Sequence, residues 1–125
     1  MNVVDSSGWL EYFGDGKNAR FFARPIQDIE NLIVPTICIY EVFKRLLSLR
    51  DKEEALRAIG VMSLGQLIEL DRQLALNAAR ISLDLKLALA DSIILVTARA
   101  NEAILWTQDE HFKGLEGVKY VAKKA

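Results

Sequence analysis

The chain contains a single cysteine, Cys38, in 125 residues. It can form no intrachain disulfide and no cysteine-based zinc site, and a reducing cytoplasm is the compartment expected. No apolar run approaches the ~20 residues that cross a bilayer. The opening Met1-Asn2-Val3-Val4-Asp5 lacks the basic segment of a secretory signal. Neither charge is in excess: 16 Lys and Arg face 17 Asp and Glu, a net of −1. That balance argues against a general nucleic-acid coat protein, though not against a nuclease. His111 is the only histidine. With no Gly-x-Ser-x-Gly elbow beside it, a serine–histidine triad is not expected. The Gly-rich phosphate loop and the Gly-x-Gly-x-x-Gly turn are both missing. There is no internal repeat, low-complexity segment or linker.

What is present suits a soluble globular domain: 51% apolar and 26% charged residues. The length is enough for one domain with a real core. Asn2–Val4 reads as a short strand running into a helix that carries Trp9, Leu10, Tyr12 and Phe13. Gly14-Asp15-Gly16 closes that helix. Residues 18–28 are helical in pattern, with Phe21 and Phe22 inward and Pro25 as a break or kink. Residues 32–34 form a second strand, ended by Pro35-Thr36, with Thr36 as the expected cap of the next helix. That helix, residues 37–50, is expected to bury Ile39, Val42, Phe43, Leu46 and Leu49. A further helix covers residues 51–60, with Leu56 and Ile59 apolar. Residues 66–70 alternate as a third strand. Asp71 then caps a helix with Leu74, Ala78, Ile81 and Leu85 on one face. Residues 91–101 are apolar on nearly every side and predict a central helix. Residues 103–106 and 118–122 complete five strands, the last edge-like. Strands alternating with helices predict an α/β fold: one three-layer domain, its central five-stranded parallel sheet covered by helices on both faces.

Three acids fall where such a fold gathers residues. Asp5 ends the first strand, Asp109 follows the fourth, and Asp91 starts the helix feeding it. Ligands bind at the carboxyl edge of open α/β sheets. Glu41, early in the helix after the second strand, is a plausible fourth. Clustered carboxylates repel one another, and a hard divalent cation such as Mg2+ or Mn2+ relieves the repulsion. Each acid also has a structural reading. Asp5 can be a helix cap, Asp91 a partner for the helix dipole, and Asp109 a turn residue or a cap before Glu110-His111-Phe112. Glu41 can pair with Lys44 or Arg45 along its helix. Ser7 and Thr107 sit beside the acids. Their hydroxyls can hold a carboxylate or a water, or serve as a cap and a strand residue. His111 reads as exposed turn surface rather than a ligand. Trp9, Tyr12 and Phe13 read as core or interface rather than a base-stacking platform. Lys44, Arg45, Arg50 and Lys86 can line an RNA groove, or be a solvated face.

At these residues the chain resembles the PIN-domain family, and within it the VapC-type toxins of type II toxin–antitoxin pairs. Val3-Val4-Asp5-Ser6-Ser7 is similar to the family's first strand with its Asp-x-Ser. Tyr40-Glu41-Val42 is similar to its second acidic position, and Leu89-Ala90-Asp91-Ser92-Ile93-Ile94 with Thr97-Ala98 to its third. Thr107-Gln108-Asp109-Glu110-His111-Phe112 resembles its Thr-x-Asp-x-x-Phe ending. Trp106 departs from the small aliphatic residue usual there. The resemblance runs over the whole chain, 1–125, as one PIN domain. It implies an Mg2+- or Mn2+-dependent endoribonuclease with Asp5, Glu41, Asp91 and Asp109 as its acidic quartet. Asp5, Asp91 and Asp109 would bind the metal, with Glu41 in or near the first shell and Ser7 and Thr107 in support. It also implies a homodimer and a small cognate antitoxin that blocks the acidic pocket. The rival of another class is a non-catalytic PIN-like module whose acidic pocket docks a basic peptide. Phosphoryl-transfer folds are a second rival. Dehalogenase-like phosphatases want a second Asp where Ser7 stands, and receiver domains want their acceptor at the end of a third strand.

Overall fold

The computed structural model describes residues 1–124. The domain span expected from sequence ends on Ala125, outside them. Its elements are β1 (Asn2–Val4), α1 (Ser6–Phe13), α2 (Ala19–Gln27), β2 (Leu32–Pro35), α3 (Thr36–Leu49), α4 (Lys52–Met62), β3 (Gln66–Ile68), α5 (Arg72–Leu85), α6 (Leu89–Ala100), β4 (Ile104–Thr107) and β5 (Val118–Tyr120). Single 3-10 turns at Ile29–Asn31 and Glu110–Phe112 precede β2 and follow β4. The five strands form one sheet in the order β3-β2-β1-β4-β5. Every pairing is parallel.

This order puts β1 at the centre. The chain first moves outward to β2 and β3, then returns past β1 to β4 and β5. Right-handed crossovers therefore set α1 to α4 on one face and α5 and α6 on the other. The strands agree: Val3 and Val4 point to opposite faces, and both are fully buried. So are their neighbours Ile33, Val34 and Leu105, which requires cover on both sides. The main core gathers these residues with Trp9, Phe22, Met62, Ile94, Leu95 and Phe112. A smaller cluster of Leu74, Ala78, Ile93 and Val96 seals α5 to α6. Helix α6 is the central one expected, with residues 92–98 all buried.

Local differences from the sequence reading have physical causes. Thr36 is not a cap: it is the first helical residue of α3, and Pro35 occupies the cap position with no side-chain hydrogen bond. Proline's fixed φ and missing N–H suit a strand-to-helix junction. Pro25 does not break α2 but lies inside it, with the helix ending at Gln27. On α3 the buried residues are Cys38, Val42 and Leu46, whereas Leu49 is 60% exposed. Periodicity assigns Leu49 to the core-facing stripe, but the last turn of α3 leaves it in solvent. Leu56 and Leu85 are likewise exposed. Asp71 does cap α5, its Oδ1 accepting from the Leu74 N–H at 2.9 Å. Trp106 is accommodated by Phe21 at 5.0 Å between ring centroids, and its Nε1 donates to Asn2 Oδ1 at 2.9 Å. No helix among the described residues is long and apolar enough to cross a membrane.

Candidate metal centre

Asp5 is the residue at which β1 stops and α1 starts. Its backbone N–H still belongs to the sheet, donating to the Trp106 carbonyl at 3.1 Å. Its side chain already belongs to the helix, with Oδ1 accepting from the Gly8 N–H at 3.0 Å. The cap reading is thus correct, and it is incomplete. Ser7 Oγ donates to both carboxylate oxygens at 2.9 Å, and Thr107 Oγ1 donates to Oδ2 at 2.9 Å. Asp5 is only 3% exposed. Burial outweighs these hydrogen bonds, and with help from the nearby Asp109 charge it pushes the Asp5 carboxyl up to about 7. A buried carboxyl facing another acid is the electrostatic state that a cation relieves.

Thr107 links two of the acids. While its hydroxyl donates to Asp5, it accepts from the Asp109 N–H at 2.9 Å. Asp109 then turns the chain into the Glu110–Phe112 turn, its Oδ1 accepting from the His111 N–H at 2.9 Å. Phe112, fully buried, pins that turn to the core. Asp91 lies in the first turn of α6, half-buried and without a capping role. Its carboxyl is raised by burial first, then by Asp109; His111 opposes the rise, and Glu41 adds to it.

Glu41 comes from α3, one turn into the helix. Ser6 Oγ donates to its Oε1 at 2.6 Å. This contact joins residues 35 apart in sequence; the Asp-x-Ser spacing singles out Ser7 rather than Ser6. Lys44 and Arg45 share a shallow groove with Glu41, Tyr40 and Ser48. Lys44 lies over the Tyr40 ring at 5.6 Å. Lys86 is exposed and ends α5 in a left-handed conformation, φ 56°. Arg50 pairs with Glu54 at 3.2 Å instead of lining the groove.

The tightest grouping of possible ligand atoms among the described residues is Asp91, Asp109 and His111, all within 4.8 Å of one another. Asp5 and Glu41 lie outside that triplet and reach it through electrostatic coupling to Asp109 and Asp91. His111, which reads from sequence as exposed turn surface, therefore joins Asp91 and Asp109. An exposed turn histidine carries no sequence signal of which way it faces. The donor set is carboxylate oxygen with one imidazole. Cys38 contributes no thiolate, because it is fully buried, its thiol pushed far up by burial. The carboxylate oxygens of the set fit a divalent cation of the Mg2+ or Mn2+ class.

Solved structures share the fold. A toxin–antitoxin complex from Klebsiella pneumoniae matches with a TM-score of 0.80 at 21% identity, covering 95% of this chain and 96% of that one. DNA-bound VapBC from Salmonella typhimurium matches with a TM-score of 0.74 at 15% identity, covering 98% of each chain. VapBC2 from Rickettsia felis, bound to a promoter DNA fragment, matches at 0.74 and 12% identity over 97% of each chain. No curated protein matches the chain. The family description "PIN domain" matches residues 3–118. That span runs from the first buried strand residue to the last strand and takes in all four acids. The 3-2-1-4-5 parallel sheet and its acid-lined carboxyl edge thus have their explanation in ancestry: the chain belongs to the PIN domain family.

Proposed function

We propose that the chain is a toxin-type endoribonuclease, a single PIN domain over 1–125, that hydrolyses RNA phosphodiester bonds with Mg2+ or Mn2+. The observation that carries this reading is the convergence of acids from separate elements at one sheet edge, where burial and mutual repulsion raise Asp5 and Asp91. In this reading Asp5, Asp91 and Asp109 hold the cation, with Glu41 in or near its first shell. The cation would supply Lewis-acid stabilisation of the phosphoryl oxygens and lower the pKa of a water. Ser7 and Thr107 fix the Asp5 carboxylate from two sides, and Ser6 fixes Glu41. Lys44, Arg45 and Lys86 are the basic side chains offered to the RNA backbone. The structural neighbours, toxin–antitoxin and VapBC complexes, support a cognate antitoxin as partner and a type II toxin role. A homodimer in the cytoplasm completes the reading.

Purified protein is expected to cut RNA with Mg2+ or Mn2+ and to stop with chelator. Asp91→Asn, which leaves α6 packed, is expected to lower cleavage at least ~100-fold. Cleavage that survives this substitution, with contaminating nuclease excluded, would reject the mechanism. A protein that binds a basic peptide at the pocket, yet cuts no RNA with any cation, would make the chain a binding module.

A further inference from the structure

We infer that His111 is a nitrogen ligand of the divalent cation, making this pocket a mixed carboxylate–imidazole site that takes Mn2+ in preference to Mg2+. The inference rests on the metal-dependent reading above and adds to it a residue and a selectivity. His111 Nδ1 lies 3.1 Å from Asp109 Oδ1 and 3.7 Å from Asp91 Oδ2. Two ligand atoms at right angles on an octahedral cation, each about 2.1 Å away, stand about 3.0 Å apart. The imidazole is thus spaced from Asp109 as a neighbouring ligand would be, and the ligand atoms of all three residues lie within 4.8 Å of one another.

Local structure gives the ring this direction. Asp109 Oδ1 accepts from the His111 backbone N–H, tightening the 3-10 turn so that the side chain two residues on swings back over the carboxylate. Buried Phe112 anchors the next position. His111 approaches from the solvent side, its side chain 74% exposed, while Asp91 is 19% exposed and Asp109 28%. It can therefore close the outer side of the pocket without displacing core. Ligation through Nδ1 leaves Nε2 to carry the ring hydrogen. Imidazole is a poor partner for Mg2+, which keeps oxygen ligands and water, and a good one for the first-row transition ions.

Because His111 is the only histidine in the chain, tag-free protein gives an unambiguous test. Mn2+ bound to the wild type is expected to show imidazole nitrogen modulation in its electron spin-echo envelope. His111→Gln is expected to lose that modulation. Its Mn2+ dissociation constant should rise about tenfold. Its Mg2+ constant should change less than about threefold, so the Mn2+ preference falls. Since the ring is exposed, the variant keeps its fold, checked by an unchanged melting temperature in chelator. Stoichiometric Mn2+ without nitrogen modulation would overturn the inference and leave the nuclease reading standing; it would mean that the imidazole only contacts the acids and is displaced by metal. Equal loss of Mn2+ and Mg2+ affinity in His111→Gln would overturn the selectivity. Failure of the wild type to bind either cation would reject both readings together.

Discussion

Asp5 is the residue on which the two halves of the site meet, and its environment makes a pH prediction with a definite sign. In the metal-free chain the folded-state carboxyl is raised to about 7 from an ordinary 3.8. Below the ordinary value both folded and unfolded chains hold the proton, and burial exacts no charge penalty. Between the two values the unfolded chain ionises while the folded one stays protonated, so stability falls as pH rises. Above about 7 the full cost is present, on the order of 4 kcal/mol as an upper bound. Urea titrations in chelator from pH 4 to 8 should show this decline in the wild type and a flatter profile in Asp5→Asn; parallel profiles would contradict the assignment. Ser6 gives a second residue-scale prediction. Its 2.6 Å hydrogen bond is what orients Glu41. Ser6→Ala should reduce cleavage about tenfold and cost ~1.5–3 kcal/mol, because a charged acceptor loses its donor. Ser6→Thr, which keeps the hydroxyl, should restore most of both, measured by initial rates beside urea midpoints.

At the scale of elements, the site depends on how closely α1 approaches the sheet. Gly8 makes that approach possible. A Cβ there would meet Phe22 at 2.6 Å and Val4 at 2.7 Å. Gly8 also supplies the N–H that Oδ1 of Asp5 accepts. Gly8→Ala should therefore act twice, destabilising by ~1–3 kcal/mol through overpacking and displacing the donor from Asp5. Thermal melts would read the first effect and cleavage rates at a temperature well below the melt the second. Stability lost with activity fully retained would show that the Gly8 contact does not position Asp5. Helix α6 does the opposite job, holding Asp91 still. Its consecutive buried residues leave no freedom to roll, so the acid in its first turn has a fixed position. Helix α6 is legible in the sequence because a helix apolar on every side has no alternative to the core. The C-terminal part of α3 is not legible in the same way: Leu49 continues the periodic stripe yet is 60% exposed. Periodicity reports which residues share a face, not how far the neighbouring layer extends.

At the scale of the molecule, the strand order is the decisive feature. Placing β1 between β2 and β4 sets Asp5 beside the β4 end that delivers Thr107 and Asp109, and brings the start of α3 with Glu41 from the other side. The proposed homodimer predicts a light-scattering mass near twice the 14.0 kDa of the chain. A mass that stays monomeric across micromolar concentrations would remove that part of the reading.

Much of this was determined by the sequence itself. Alternating strand and helix patterns specified a parallel sheet, because each buried run had to be joined by a crossover. Acids at the strand ends Asp5 and Asp109 and at the start of α6 marked the edge where a site could lie. Tertiary structure alone decided the partnerships. It matched Ser6 with Glu41 across 35 residues, bridged Asp5 to Asp109 through one threonine hydroxyl, and turned an exposed histidine back over two carboxylates. The physical reason is that local pattern encodes burial, which each residue experiences alone, whereas a hydrogen bond or a coordination sphere depends on the distance and direction between groups that only the closed sheet brings together.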